Sequence, residues 1–219
     1  MIELGAAVAA IRGGDAATLE RWLADDPALA DARIGPRTLL HIATDWPGGL
    51  PRVADTIRVL AAAGADVDAR FDGPQHDETP LHWAASADDV AALDALLDAG
   101  ADIDATGGIV GGSTPLADAT AFGQWRAARR LVERGARTSA FDAAALGLLD
   151  RLGDVADDEL DGALWAAAHG GQRAAAELLL ARGADPAWVG WDELTALGAA
   201  ERSGARDVAA LLRASARRS

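Results

Sequence analysis

Four histidines and the acids near them are the residues most able to move protons. His76 and Glu78 lie two apart in a segment that reads as extended. Residues at that spacing point to the same side of an extended chain. A carboxylate beside an imidazole holds its tautomer and raises its basicity, so the two make a general acid–base pair. The other reading of the same residues is a solvated polar loop. His41 and His82 each sit inside a Thr-led helical segment, whereas His169 does not. Asp88-Asp89 resembles a metal-binding acidic pair but falls at a turn, where capping the next helix is the simpler role. Asp118 is a carboxylate that would need a partner if it were buried. Trp46, Trp83, Phe122, Trp125 and Trp165 are all expected on the first helices of helix pairs or on their turns, either as core or as the lining of an apolar pocket. No phosphate-binding glycine loop, serine elbow or His-Glu-x-x-His motif is present, and neither a metal nor a cofactor is expected.

These residues ride on elements that repeat. Gly-Ala-Asp or Gly-Ala-Arg recurs at Gly64, Gly100, Gly135 and Gly183, in steps of 36, 35 and 48 residues. Each follows a short Ala/Leu-rich helix that the glycine ends in a left-handed cap. Another short helix precedes it, led by Thr38-Leu39-Leu40-His41-Ile42-Ala43, Thr79-Pro80-Leu81-His82-Trp83-Ala84-Ala85 or Thr114-Pro115-Leu116-Ala117-Asp118-Ala119. A Pro suits the first helical position, and one such helix pair cannot bury its own apolar face, so the pairs must stack.

The Thr79–Ala85 block matches the ankyrin signature in full, and the chain resembles the ankyrin-repeat family over nearly its whole length. The resemblance implies an all-α ankyrin-repeat solenoid of about seven stacked helix pairs with short connecting fingers, as a single domain spanning 1–219. Its expected parts are an N-terminal capping pair at 3–33, repeats at 35–69, 74–105 and 110–139, a short pair at 140–157, a repeat at 160–187 and a C-terminal cap at 191–216. The short pair explains the 48-residue step, because Gly123, Gly147 and Gly171 are 24 and 24 apart.

The repeats break their own spacing in one region. Turn and glycine are 12 apart at Asp88–Gly100, Gly123–Gly135 and Gly171–Gly183, but 17 apart at Pro47–Gly64. The fingers after Gly64 and Gly100 are also lengthened, and the second of these, with Gly107-Gly108 and Gly111-Gly112, reads as flexible. Clustered long loops are either tolerated drift or functional. Carried over from the family, the positions facing the concave groove include Arg37, Asp45, Trp46, His76, Glu78, Ser86, Phe122, Asp161, His169 and Trp191. Trp83, Asp118 and Trp165 take positions usually packed inward.

Composition narrows the partners. There are 20 basic and 34 acidic residues, a net charge of −14. That disfavours nucleic acid and anionic membranes as partners. All 20 basic residues are Arg, and Lys, Asn and Tyr are absent while Ala numbers 55, which points to a GC-rich bacterial genome. The absence of Cys, of a long apolar run and of a basic, cleavable N-terminal segment leads to a cytoplasmic expectation.

Two functions follow. The first is recognition of a protein partner with a basic or mixed patch through the concave groove. The second is cofactor-free acid–base chemistry on an apolar small molecule (dehydration, addition, isomerisation or cyclisation). There His76 or Glu78 would be the base, Asp45 or His169 would orient or donate, and Trp46, Arg37, Trp83, Phe122, Trp125 and Asp118 would shape the pocket. A closed cavity under the loops would favour the second, an open groove the first.

Overall fold

A computed structural model describes residues 4–74 and 77–216. The chain forms two compact units, one ending at Ala136 and one beginning at Arg137.

In the first unit, helix pairs follow one another along the chain: α1 (Leu4–Gly13) and α2 (Ala16–Asp25), α3 (Leu39–Ala43) and α4 (Val53–Ala62), α5 (Pro80–Ser86) and α6 (Val90–Asp98), α7 (Pro115–Ala121) and α8 (Trp125–Glu133). First helices pack on first helices, α1 on α3, α3 on α5 and α5 on α7; second helices do the same, α2 on α4, α4 on α6 and α6 on α8. The result is two helical layers with Leu40, Leu81, Leu93, Leu96, Leu116 and Leu131 sealed between them. A short hairpin, β1 (Arg33–Ile34) with β2 (Arg37–Thr38), leads into α3.

Local chemistry sets each start and stop. Thr38 and Thr79 cap α3 and α5, and the histidine three residues on closes the box in both. The Thr79 N–H donates to Nδ1 of His82 at 3.1 Å, which leaves the proton on Nε2. Nε2 then donates to the carbonyl of Ser113 at 3.0 Å. His41 repeats the pattern one repeat earlier, bonding the carbonyl of Glu78 at 3.1 Å. Each imidazole therefore ties its helix start to the next finger. At the other end, Gly64, Gly100 and Gly135 take φ of 97°, 96° and 98°, a region costly for any side chain.

The second unit contains α9 (Ala140–Leu146), α10 (Leu160–His169), α11 (Arg173–Ala181), α12 (Ala196–Arg202) and α13 (Arg206–Ala216). Here α10 packs on α9 and α12, and α11 on α13. The partner of α9 is a single 3-10 turn, Leu149–Arg151. Arg182 of the following repeat donates to the carbonyls of Leu152 and Val155, which have no second helix to receive them. No helix among the described residues is long and apolar enough to cross a membrane.

Candidate functional site

The site is built from the ends of three first helices and two fingers of the first unit. Asp45 and Trp46 follow α3, Glu78 precedes α5, Trp83 and Ser86 lie on α5, Phe122 ends α7, and Ile109 comes from the lengthened finger before α7. With Ala87 these residues line a depression of about 250 Å³.

Its walls are apolar and stand in solvent. Trp46 is 77% exposed, Ile109 52% and Phe122 47%. Monomeric proteins rarely gather large apolar side chains in one exposed place unless something covers them. The indole of Trp83 forms the floor, edge-on to His41 with ring centroids 5.0 Å apart and tilted against Phe71 at 5.6 Å.

The carboxylates at this site are tied down. Trp83 Nε1 donates to Glu78 Oε2 at 3.2 Å, and Glu78 is buried. Arg37 Nη1 meets Asp45 Oδ2 at 3.2 Å, so the rim carries both signs of charge. His76 lies outside the described residues. His169 belongs to the second unit, where its Nδ1 is 3.2 Å from Ser203 Oγ and its ring lies against Trp165.

The inserted loops are held in place. Gly49 N–H donates to Asp89 Oδ2 at 2.7 Å, while Asp89 Oδ1 caps α6 through Ala92 N–H at 3.1 Å. Gly48 approaches so closely that a Cβ there would lie 3.1 Å from the Cβ of Ala87. The 106–113 finger, expected to be flexible, is folded around Asp118 instead. Asp118 is fully buried and its Oδ1 accepts from the Ser113 hydroxyl and, at 3.4 Å, from Val110 N–H. The finger also closes on itself, Gly108 N–H to Ser113 O at 2.9 Å and Gly112 N–H to Gly108 O at 3.0 Å. A Cβ on Gly108 would stand 2.4 Å from Asp118 Oδ2, so glycine is required there. Burial raises the Asp118 carboxyl above its usual range, against the Ser113 hydrogen bond and the nearby His82. Burial holds the imidazole of His82 below its usual value, and that of His41 falls to about 4.

Of the residues expected to form the pocket, Asp45, Trp46, Glu78, Trp83 and Phe122 do line it. Arg37 reaches it only through Asp45. Asp118 sits beneath the finger rather than at the surface. Trp125 does not line it; it opens α8, a second helix. Ile109 was not singled out from sequence, although an Ile-Val pair between two Gly-Gly pairs is the kind of signal that marks a displayed apolar tip. A larger hollow of about 570 Å³ lies between α2 and α4. Ala, Leu and Val side chains line most of it, and its Asp55 pairs with Arg52 at 2.9 Å and with Arg58 at 2.5 Å, but no aromatic side chain stands in it.

The family model described as ankyrin repeats (3 copies) matches residues 6–107 and, overlapping, 53–142. These matches span more than half of the chain, and the protein belongs to the ankyrin-repeat family. Ankyrin repeats generally mediate protein–protein interaction. No curated protein matches the chain.

Proposed function

We propose that this ankyrin-repeat protein docks a segment of a partner protein in the groove of its first unit. One apolar side chain of the partner enters the depression between Trp46, Ile109 and Phe122. Neighbouring residues of mixed charge meet the Arg37–Asp45 pair at the rim. The observation that carries the reading is the open apolar depression, whose three largest walls stand in solvent. Half-exposed aromatics gain most by being covered, and aromatic side chains dominate interface energies. The net charge of −14 favours a partner with a basic or mixed patch.

Acid–base catalysis draws less support. Such a site works best with water excluded, and this depression opens to solvent. Glu78 and Asp45 are engaged by Trp83 and Arg37.

The test is selection of a random peptide library displayed on phage against the full chain, followed by affinity measurement on synthetic versions of the enriched peptides. They are expected to carry an apolar anchor with a basic neighbour. Trp46→Ala and Phe122→Ala should each weaken binding by about 10-fold or more. Because Trp46 is 77% exposed, its loss should shift stability by less than about 0.5 kcal/mol. Enriched peptides that bind both variants as tightly as the wild type would refute the proposal.

A further inference from the structure

The second unit carries an aromatic face of its own, distinct from the groove above. Trp191, on the turn before α12, folds back over α10. Its ring would lie 3.6 Å from a Cβ placed on Gly162, and its centroid is 5.2 Å from that of Trp165 and 5.0 Å from that of Phe141 on α9. Trp188 meets it edge-on at 5.8 Å. Despite these contacts Trp191 remains 46% exposed. The backbone that places it is strained, since Asp192 and Glu193 are consecutive non-glycine residues with φ of 55° and 57°. Such a conformation costs about 1 kcal/mol or more per residue and persists where something requires it.

Exposed carboxylates lie near this face along the chain. Asp157, Asp158 and Glu159 are exposed on the turn leading into α10, and Glu193 is exposed beside Trp191. None of these four has an ion pair among the described residues. The unit already holds one cation in this manner: the guanidinium of Arg202 lies 5.8 Å from the centre of the Trp165 ring and pairs with Asp192. The rings touch one another, so no cage is open between them to enclose an ammonium. What the face offers is an exposed indole with carboxylates close to it along the chain, which suits a planar guanidinium.

We infer that the Trp191 face binds arginine side chains of a partner protein segment. A guanidinium stacks on the exposed indole while adjacent basic residues meet Asp157, Asp158, Glu159 and Glu193.

The test uses the full chain and a fluorescein-labelled peptide of six Arg-Gly repeats, compared with its Lys-Gly counterpart by fluorescence anisotropy at near-physiological salt. The Arg peptide should bind at least about 5-fold more tightly than the Lys peptide, because guanidinium stacks on aromatics better than ammonium does. Trp191→Leu keeps apolar bulk against Phe141 and Gly162 but removes the π face. It should weaken Arg-peptide binding by about 10-fold or more and erase the preference over Lys. Asp158→Asn combined with Glu193→Gln should weaken both peptides. Asp25→Asn combined with Asp31→Asn, which removes two exposed carboxylates outside both the groove and this face, should change neither, which separates the face from general charge attraction. Equal binding of the two peptides, unaltered binding by Trp191→Leu, or no binding of the Arg peptide would each overturn the inference.

Discussion

Replacing Asp118 tests whether a buried carboxylate builds the groove wall. In Asp118→Ala, the Ser113 hydroxyl and the Val110 N–H lose their acceptor. Both bonds are part-buried, so losing each costs about 0.5–1.5 kcal/mol, more where the freed donor stays out of water. Against this stands relief of a buried charge, since burial is the largest influence raising the Asp118 carboxyl. The balance is a loss of about 1–3 kcal/mol at neutral pH. Asp118→Asn keeps an acceptor oxygen and removes the charge, so it should stay within about 1 kcal/mol of the wild type. The sign of the pH dependence separates them further. A carboxyl whose folded value is raised takes up its proton more readily in the folded chain. The wild type should therefore gain on Asp118→Asn as pH falls from neutrality through that raised value. Urea unfolding of the three proteins at pH 7 and at pH 5 gives the stabilities. Thermolysin, which cuts before Ile and Val, reports whether the 106–113 finger has come loose. An Asp118→Ala protein as stable as the wild type, with its finger no more readily cut, would show that the carboxylate does not hold the loop.

The remaining expectations concern the histidines and the glycine loop. His41 and His82 are held neutral, with folded values below their unfolded ones. Their contribution is fully present above about pH 6.5 and is lost as pH falls towards about 4, the folded value of His41. Chemical denaturation across that window should show falling stability, and a His41→Gln variant should show a shallower fall; an equal slope would exclude His41 as the source. Gly108→Ala drives a methyl to within 2.4 Å of Asp118 Oδ2, so it should cost about 1–3 kcal/mol and weaken groove binding by displacing Ile109. An unchanged melting temperature together with unchanged peptide affinity would contradict the described packing.

How much of this was legible in the sequence depended on whether a residue obeys the repeat. Thr79-Pro80-Leu81-His82 is a helix start written in local chemistry, and its hydroxyl, ring and imidazole act where the motif puts them. The inserted loops were also visible, by counting from glycine to glycine. Their shape was not. An irregular loop has no period, so neither the exposure of Trp46 nor the folding of the 106–113 finger around Asp118 could be read from spacing, although the burial of Asp118 itself followed from its place in the repeat. Trp125 shows the opposite limit: its aromatic type suggested a groove, but its place at the start of a second helix takes it out of the depression. The glycines of the 106–113 finger suggested freedom. In the fold, Gly108 instead permits a close approach to Asp118 that any side chain would block.

The two loops bordering the depression share one device. Each is pinned through its backbone by an aspartate of low exposure: Asp89 receives Gly49 N–H at 2.7 Å, and Asp118 receives the finger through Val110 N–H and the Ser113 hydroxyl. Neither aspartate is needed to line the depression. Ordering a free loop during association consumes about 0.5–1.5 kcal/mol for each side chain immobilised, so a loop fixed beforehand leaves more of the contact energy for the partner. The departures from the repeat therefore form a set. Ile109 adds one apolar wall to those that Trp46, Trp83 and Phe122 supply from the helices and their ends, glycines let the backbone come close in both loops, and a carboxylate in each case holds it there. Both loops thus pair a closely packed glycine with a carboxylate anchor, the arrangement that keeps a loop fixed before anything meets it.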